Sequence, residues 1–177
     1  MKKSALTEVF AFVFILLLNS TSYAQKFRPL DASPMDALSF PTSNKEVNKL
    51  IKVTYSRPQL KERSLESLAP NGKVWRTGAN EAVDVILYKD TKLGGKMVKA
   101  GEYSLFTIPG AKEWTIILSK DINVWGAYSY NEANDVVRVM APVTTGESLE
   151  SLSMAFEDDG TLFLGWGTNR VAIPFNK

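Results

Sequence analysis

Apolar and polar residues alternate in short runs along most of the chain after Trp75, and turn residues separate the runs. Alternation with a period of two residues is typical of β-strands that bury one face. In chain order, the predicted strands cover residues 83–88, 103–108, 114–119, 136–143, 151–156, 162–166 and 171–175. The turn sequences Pro109-Gly110, Asp158-Asp159-Gly160 and Gly167-Thr168-Asn169 predict hairpins between neighbouring strands.

The segment before Trp75 has a weaker pattern. Residues 25–44 contain three prolines and no regular period, so we expect an extended lead-in there. Residues 43–46 have the form of a helix capping box, but Ile51, Val53 and Tyr55 alternate with polar residues. A strand from Leu50 onward is therefore favoured over a helix.

These elements together predict the fold class. We expect about eight or nine strands and little helix, because the spacing of the turn signals is typical of all-β domains. The predicted architecture is a single antiparallel β-sandwich or flattened barrel over residues 45–177. No repeat of structural length indicates a second domain.

The first 24 residues have a different pattern. Lys2 and Lys3 precede an apolar run over residues 9–18, and small residues lead to Ala24. This order is typical of a secretory signal peptide, and the apolar run is shorter than the roughly 20 residues that span a bilayer. We therefore expect cleavage between Ala24 and Gln25, a periplasmic or secreted mature protein, and no stable membrane anchor after cleavage.

The composition excludes several classes of chemistry. The chain has no cysteine and no histidine, so it cannot form disulfides, thiolate or imidazole metal sites, or Ser-His-Asp triads. The formal net charge of +2 comes from scattered cations, so a nucleic-acid partner is not expected. We expect no cofactor and no metal ion. The oligomeric state does not follow from the sequence.

The richest mixture of polar and aromatic residues lies in the connection over residues 72–81. Arg76 suits an anionic group, Trp75 offers a flat face, and Asn80 and Glu81 suit ligand hydroxyls. Glu81 and Arg76 are also the candidate catalytic residues. The structural alternative is that Arg76 and Glu81 pair with each other and that Trp75 belongs to the core.

Two further segments contribute candidate ligand-binding residues. Arg57 follows a predicted strand, and Pro58 after it favours an extended backbone at Arg57. At the end of a strand, the arginine lies either at the rim of a site or on the surface. Trp125, Tyr128 and Tyr130 fall in an apparent loop. Aromatic side chains in a loop suit sugar rings or planar ligands, although they also fold over a sheet edge.

Carboxylates are the remaining candidates for acid–base chemistry, since glycosidases need only two of them. Their spacing fixes no distance between any pair, so glycosidase chemistry is permitted without being indicated. Residues 157–160 carry three acidic side chains, which the hairpin turn explains better than calcium binding does. The candidate acidic residues are Glu81, Asp84, Glu102, Glu132, Asp135 and Glu157.

Four stretches of the chain resemble a known bacterial family. They are Tyr55-Ser56-Arg57-Pro58, the run from Gly72 to Glu81, the run from Gly101 to Gly110, and Trp125-Gly126-Ala127-Tyr128. With these motifs, residues 45 to 175 resemble the family called domain of unknown function 2911. The resemblance implies an exported, mostly β protein without an established activity.

Three hypotheses of function follow from the residues. The leading one is an exported protein that binds a small molecule or carbohydrate in a pocket built from Arg57, Arg76, Asn80 and Glu81 with Trp75 and Trp125. The alternative is a periplasmic hydrolase or lyase in which Glu81 acts as general acid or base and Arg76 stabilises negative charge. The third is a structural envelope protein without a pocket.

Overall fold

The secondary structure is almost entirely β. The computed structural model describes residues 25–176, so the predicted signal peptide lies outside the described residues. The strands are β1 (Met35–Phe40), β2 (Ile51–Ser56), β3 (Val83–Leu87), β4 (Thr91–Leu93), β5 (Lys96–Val98), β6 (Gly101–Ile108), β7 (Glu113–Ser119), β8 (Asp135–Phe156) and β9 (Thr161–Asn176). A short helix α1 (Leu65–Leu68) follows β2, and a 3-10 turn (Glu132–Asn134) precedes β8.

The strands form one antiparallel sheet in the order β1-β2-β3-β6-β7-β8-β9-β4-β5. The sheet is not closed into a barrel, and the predicted all-β antiparallel fold is confirmed. Residues from Asp31 onward group into one compact unit. Among the residues that the structure describes, no helix is long and apolar enough to cross a membrane.

The two longest strands fold the sheet over itself. The first part of β8 pairs with β7, and its later part, from Val143 onward, pairs with β9. The end of β8 then meets the chain that leaves β2, where the Leu152 amide donates to the Pro58 carbonyl oxygen at 2.9 Å. The sheet therefore encloses a core in the manner of a sandwich.

The inner face of the folded sheet is apolar because alternate residues of each strand point inward. Val53, Val85, Leu105, Leu118 and Leu164 are fully buried in this core. The residues between them occupy the outer face, which carries polar side chains such as Thr54 and Asp84 and a small apolar cluster. This pattern is the period-two alternation from which the strands were predicted.

The predicted hairpin turn at Gly167-Thr168-Asn169 is wrong. The structure continues β9 through these residues, and Gly167 and Asn169 both pair with β8. The register between β8 and β9 shifts between Thr145 and Leu149. The extra residues of this irregularity, 146–148, belong to β8, and they face Thr168 of the continuous strand β9.

The lead-in contains a strand that the pattern did not predict. Met35–Phe40 forms β1 and pairs along its whole length with β2. An edge strand has only one neighbour, and its half-exposed residues need no strict alternation. Pro34 and Pro41 flank β1, so the prolines mark its ends instead of excluding a strand.

The outer face of the sheet is partly covered by the cover loop, which comprises residues 120–134 between β7 and β8. Val124, Ala127 and Tyr130 of this loop pack against a small cluster on the sheet that includes Phe106 and Ile117. This second cluster explains why Phe106 and Ile117 are buried although they point away from the main core.

A polar network holds the end of the cover loop. Tyr130 donates to Asp135 Oδ2 at 2.6 Å, and Arg138 Nη2 donates to the Tyr130 hydroxyl at 2.7 Å. Arg138 also forms ion pairs with Asp135 and Glu132. Burial, together with the hydrogen bond to Asp135, raises the pKa of Tyr130 to about 12. The phenol is therefore neutral and acts as a fixed hydrogen-bonding group.

Candidate functional site

Trp75 is a core residue in the structure. Only 5% of its surface is exposed, and its ring stacks on Trp166 with centroids 5.5 Å apart. Trp114 meets the same ring edge-on at 6.1 Å. The ring is therefore covered by its neighbours and offers no open face to a ligand. The structure agrees with the alternative that Trp75 belongs to the core.

Arg57 ties three strands together. Its Nε donates to the Leu152 carbonyl oxygen at 3.0 Å, and its Nη2 donates to Ser153 Oγ at 2.8 Å, both on β8. Its Nη1 pairs with Asp36 Oδ2 on β1 at 3.3 Å. These bonds use every donor nitrogen of the guanidinium group, which therefore serves the fold.

Asn80, Glu81 and Trp125 come together where the connection before β3 meets the cover loop. Glu81 and Trp125 form an isolated antiparallel β-bridge, and the Gly126 amide donates to the Asn80 carbonyl oxygen at 2.9 Å. The side-chain amide of Asn80 donates to Asp31 Oδ2 at 3.1 Å. Glu81 is exposed, and Trp125 is 59% exposed, so both side chains face solvent.

Arg76 lies in the same connection but has a different environment. Within the described part of the chain, no ion pair joins Arg76 to Glu81. The Arg76 Nε is buried and has no hydrogen-bond partner among the described residues. Next to it, a Cβ on Gly78 would lie 3.3 Å from the Ser56 carbonyl oxygen, so the backbone passes close to the end of β2.

We expect Arg76 and Glu81 to behave independently. Arg76→Met and Glu81→Gln should each change the free energy of unfolding by under about 1 kcal/mol, because neither breaks an ion pair. Their coupling energy in a double-variant cycle should stay below about 0.5 kcal/mol in urea unfolding. A coupling of about 3–5 kcal/mol would instead show a buried pair.

The largest of the described cavities lies elsewhere, beside Trp114 at one end of β7. This Trp114 pocket has a volume of about 430 Å³. Its walls come from the segment around α1, from the turn between β6 and β7, and from the irregular stretches of β8 and β9. Its polar lining residues are Arg63, Ser64, Glu66, Asn71, Ser148, Thr168 and Asn169.

Trp114 gives this pocket a specific chemical feature. The residue is only 1% exposed, and its indole Nε1 has no hydrogen-bond partner among the described residues. By contrast, the Trp166 Nε1 donates to the Glu150 carbonyl oxygen at 3.1 Å. Buried indole N–H groups usually have a partner. The sequence placed Trp114 in a strand, and no local signal distinguished it from an ordinary core residue.

A second, smaller pocket lies on the outer face of the sheet under the cover loop. This Asp84 pocket has a volume of about 200 Å³ and includes Asp84, Glu102, Thr54 and Asn123 in its lining. Burial raises the pKa of Asp84, and the negative charges of Glu102 and Glu81 raise it further. Two of the six candidate carboxylates, Asp84 and Glu102, therefore line one pocket.

The remaining candidate carboxylates lie apart from this group. Glu132 and Asp135 pair with Arg138 at the end of the cover loop. The Glu157 amide donates to the Thr161 carbonyl oxygen at 2.9 Å in the hairpin between β8 and β9. The backbone of Gly160 in this hairpin has a φ of +91°, which favours glycine. Glu132 and Asp135 therefore belong to the ion-pair network of Arg138, and Glu157 belongs to the hairpin turn.

Comparison with known proteins identifies a family. The family model described as protein of unknown function (DUF2911) matches residues 33–175. No curated protein and no solved structure matches the chain. The match includes all nine strands except the last residue of β9, together with both pockets. The chain therefore belongs to the DUF2911 family.

Proposed function

We propose that the protein binds a small polar ligand of the carbohydrate class in the Trp114 pocket. The observation that carries this proposal is Trp114, a buried residue of the pocket lining whose indole Nε1 has no hydrogen-bond partner among the described residues. A ligand oxygen would accept this hydrogen bond. The pattern of residues 1–24 supports a place outside the cytoplasm for this activity.

The size and the lining of the pocket support a ligand of this class. A volume of about 430 Å³ lies within the roughly 300–1,000 Å³ that is usual for small-molecule sites. Sugar hydroxyls both donate and accept hydrogen bonds, and the lining offers hydroxyl, amide, carboxylate and guanidinium groups. Arg63 is already held in place, since its Nε and Nη2 donate to the carbonyl oxygens of Leu60 and Gln59.

The binding model also accounts for the separation of Arg76 and Glu81 better than the hydrolase model does. A general acid or base and the arginine that stabilises its developing charge must act on one reacting group. Among the described residues, no ion pair joins Arg76 to Glu81, and neither residue lines the Trp114 pocket. The geometry therefore supports binding over catalysis by this pair.

We expect Trp114→Phe to weaken ligand binding about two- to tenfold. The change keeps an aromatic ring in the core but removes the indole N–H and part of the ring system. The ligand then loses one hydrogen bond, which is worth about 0.5–1.5 kcal/mol. The ligand is first identified by thermal shift with a panel of monosaccharides and disaccharides, because a ligand that binds the folded state raises its melting temperature. Affinities of both proteins for the sugar that binds best are then compared by calorimetry.

Trp125→Phe is the matched control for this experiment. Trp125 is 59% exposed and does not line the Trp114 pocket, so its replacement should leave the affinity unchanged. Equal affinities of the wild-type protein and Trp114→Phe would contradict the proposed site. A weaker affinity in Trp125→Phe alone would place the ligand at the cover loop.

A further inference from the structure

The lining of the Trp114 pocket includes an arginine whose guanidinium group is held in one orientation. Arg63 Nε donates to the Leu60 carbonyl oxygen at 2.9 Å, and Arg63 Nη2 donates to the Gln59 carbonyl oxygen at 2.9 Å. These two bonds use the Nε hydrogen and one hydrogen of Nη2, which lie along one edge of the planar group. A guanidinium group has five N–H donors, so three of them remain for other partners.

The remaining donors of Arg63 have the geometry that a carboxylate requires. The second hydrogen of Nη2 and one hydrogen of Nη1 form another edge of the group, and two parallel N–H donors match the two oxygens of a carboxylate. Within the described part of the chain, no ion pair engages Arg63. Its positive charge is therefore not matched by a carboxylate of the protein.

The turn before Arg63 sets the position of this side chain before a ligand binds. The Arg63 amide donates to the Leu60 carbonyl oxygen at 3.0 Å. Between them, Lys61 and Glu62 have φ of +49° and +64°, a left-handed conformation that residues other than glycine seldom adopt. The Lys61 amide donates to Glu150 Oε1 at 2.7 Å, which anchors the turn to β8. A side chain that is already ordered loses less conformational entropy on binding.

A second arginine binds the backbone of another wall of the pocket. Arg170 Nη1 donates to the carbonyl oxygens of Gly167 at 3.3 Å and Asn169 at 2.9 Å, both of which are lining residues. Its Nη2 donates to the Glu147 carbonyl oxygen. Among the described residues, no ion pair engages Arg170 either. Two guanidinium charges without a carboxylate partner thus lie at the pocket, whose lining has one acidic residue, Glu66.

We propose that the ligand of the Trp114 pocket is an acidic sugar, a uronic acid whose carboxylate binds Arg63. This inference rests on the proposed carbohydrate site and names the kind of sugar that the site takes. A uronic acid carries a carboxylate for the paired donors of Arg63 and an oxygen that accepts from the Trp114 indole N–H. Its hydroxyl groups donate to the Glu66 carboxylate, which only accepts hydrogen bonds when ionised.

The test is calorimetric titration of the purified protein with D-glucuronate and D-galacturonate at near-neutral pH and low salt. The matched neutral ligands are D-glucuronamide and D-galacturonamide, which have nearly the same shape without the charge. We expect the better uronate to bind at least about tenfold more tightly than its amide, because hydrogen bonds to charged groups are the stronger ones. Added salt should reduce this preference, since Arg63 is exposed and salt screens exposed charges.

Arg63→Met should remove the preference for the acid. The change keeps most of the aliphatic stem and removes the guanidinium donors, so the affinity for the uronate should fall at least about tenfold and approach that for the amide. The melting temperature of the variant shows whether it folds. If it does not, Arg63→Lys keeps the positive charge without the paired donors and should also lower the affinity for the uronate more than that for the amide.

Arg28→Met is the matched control, because Arg28 is an exposed arginine of the lead-in and does not line the pocket. It should leave both affinities unchanged. Acetate is the control for a carboxylate without a sugar ring, and it should bind far more weakly than either uronate.

Four results would overturn the inference. They are equal affinities for a uronate and its amide, an unchanged preference in a folded Arg63 variant, acetate binding as tight as that of the uronates, and no binding of either uronate. The proposed carbohydrate site fails on a different result, an unchanged affinity for the best-binding sugar in Trp114→Phe. Neutral sugars that bind as tightly as the uronates and depend on Trp114 would keep the carbohydrate site and reject the acidic ligand.

Discussion

Replacing Trp75 with alanine is expected to lower the free energy of unfolding by about 3–5 kcal/mol, the usual effect of removing a large buried aromatic side chain. The ring of Trp75 lies between Trp166, on which it stacks at 5.5 Å, and Trp114, which it meets edge-on. Its removal leaves a cavity and takes away two aromatic contacts. Urea unfolding followed by far-ultraviolet circular dichroism measures the loss.

Trp125→Ala is the matched control because it removes the same side chain from a position that is 59% exposed. We expect a change of under about 1 kcal/mol there, as for other exposed substitutions. If Trp75→Ala were as mild as Trp125→Ala, Trp75 would not be a core residue. A ligand-binding role for Trp75 would then regain support.

Replacing Arg57 with methionine is expected to lower the free energy of unfolding by about 2 kcal/mol. The change keeps most of the aliphatic stem and removes the donors to the Leu152 carbonyl oxygen and to Ser153 Oγ. Leu152 is fully buried, and leaving a buried acceptor without its donor costs about 1–3 kcal/mol. The same unfolding measurement tests this expectation.

A cycle with Asp36→Asn separates the contribution of the ion pair. The Arg57 and Asp36 side chains are both more than a third exposed, so their coupling should be under about 1 kcal/mol. Most of the loss in Arg57→Met should therefore persist in the double variant. Lys120→Met at an exposed position serves as the control. Unchanged stability of Arg57→Met, with loss of sugar binding, would assign Arg57 to a ligand site.

The candidate residues show why a site is harder to predict than a strand. Trp75 and Trp125 are the same residue type in similar polar surroundings of sequence, yet one is enclosed by two tryptophans and the other faces solvent. Arg57 was correctly placed at the end of a strand. Two of its partners are on β8, nearly a hundred residues later in the chain, and no local pattern specifies them.

The Trp114 pocket could not have been predicted for the same reason. Its walls combine residues near Leu65, Gly110, Ser148 and Asn169, which are far apart in the sequence. Each of these segments has ordinary turn or strand composition when taken alone. The Asp84 pocket was closer to prediction, since its lining residues Asp84 and Glu102 were both candidates, but only the strand register brings them together.

The sequence by itself determined which residues form most strands and which face of each strand is buried. Alternation is a local property, because neighbouring side chains of a strand point to opposite faces whatever its partner. The hairpin turns at Pro109-Gly110 and at residues 158–160 are local for the same reason, since a few residues set the backbone angles.

Only the tertiary structure decided how these strands join and what lies between them. Gly167-Thr168-Asn169 has turn chemistry, yet its pairing with β8 makes it part of one long strand. Residues 35–40 lack a regular pattern, yet pairing with β2 makes them a strand. In both places backbone hydrogen bonds to a distant segment outweigh a local preference of at most about 1 kcal/mol. The folding of β8 and β9 also creates the Trp114 pocket, so the candidate site depends on contacts that no local pattern contains.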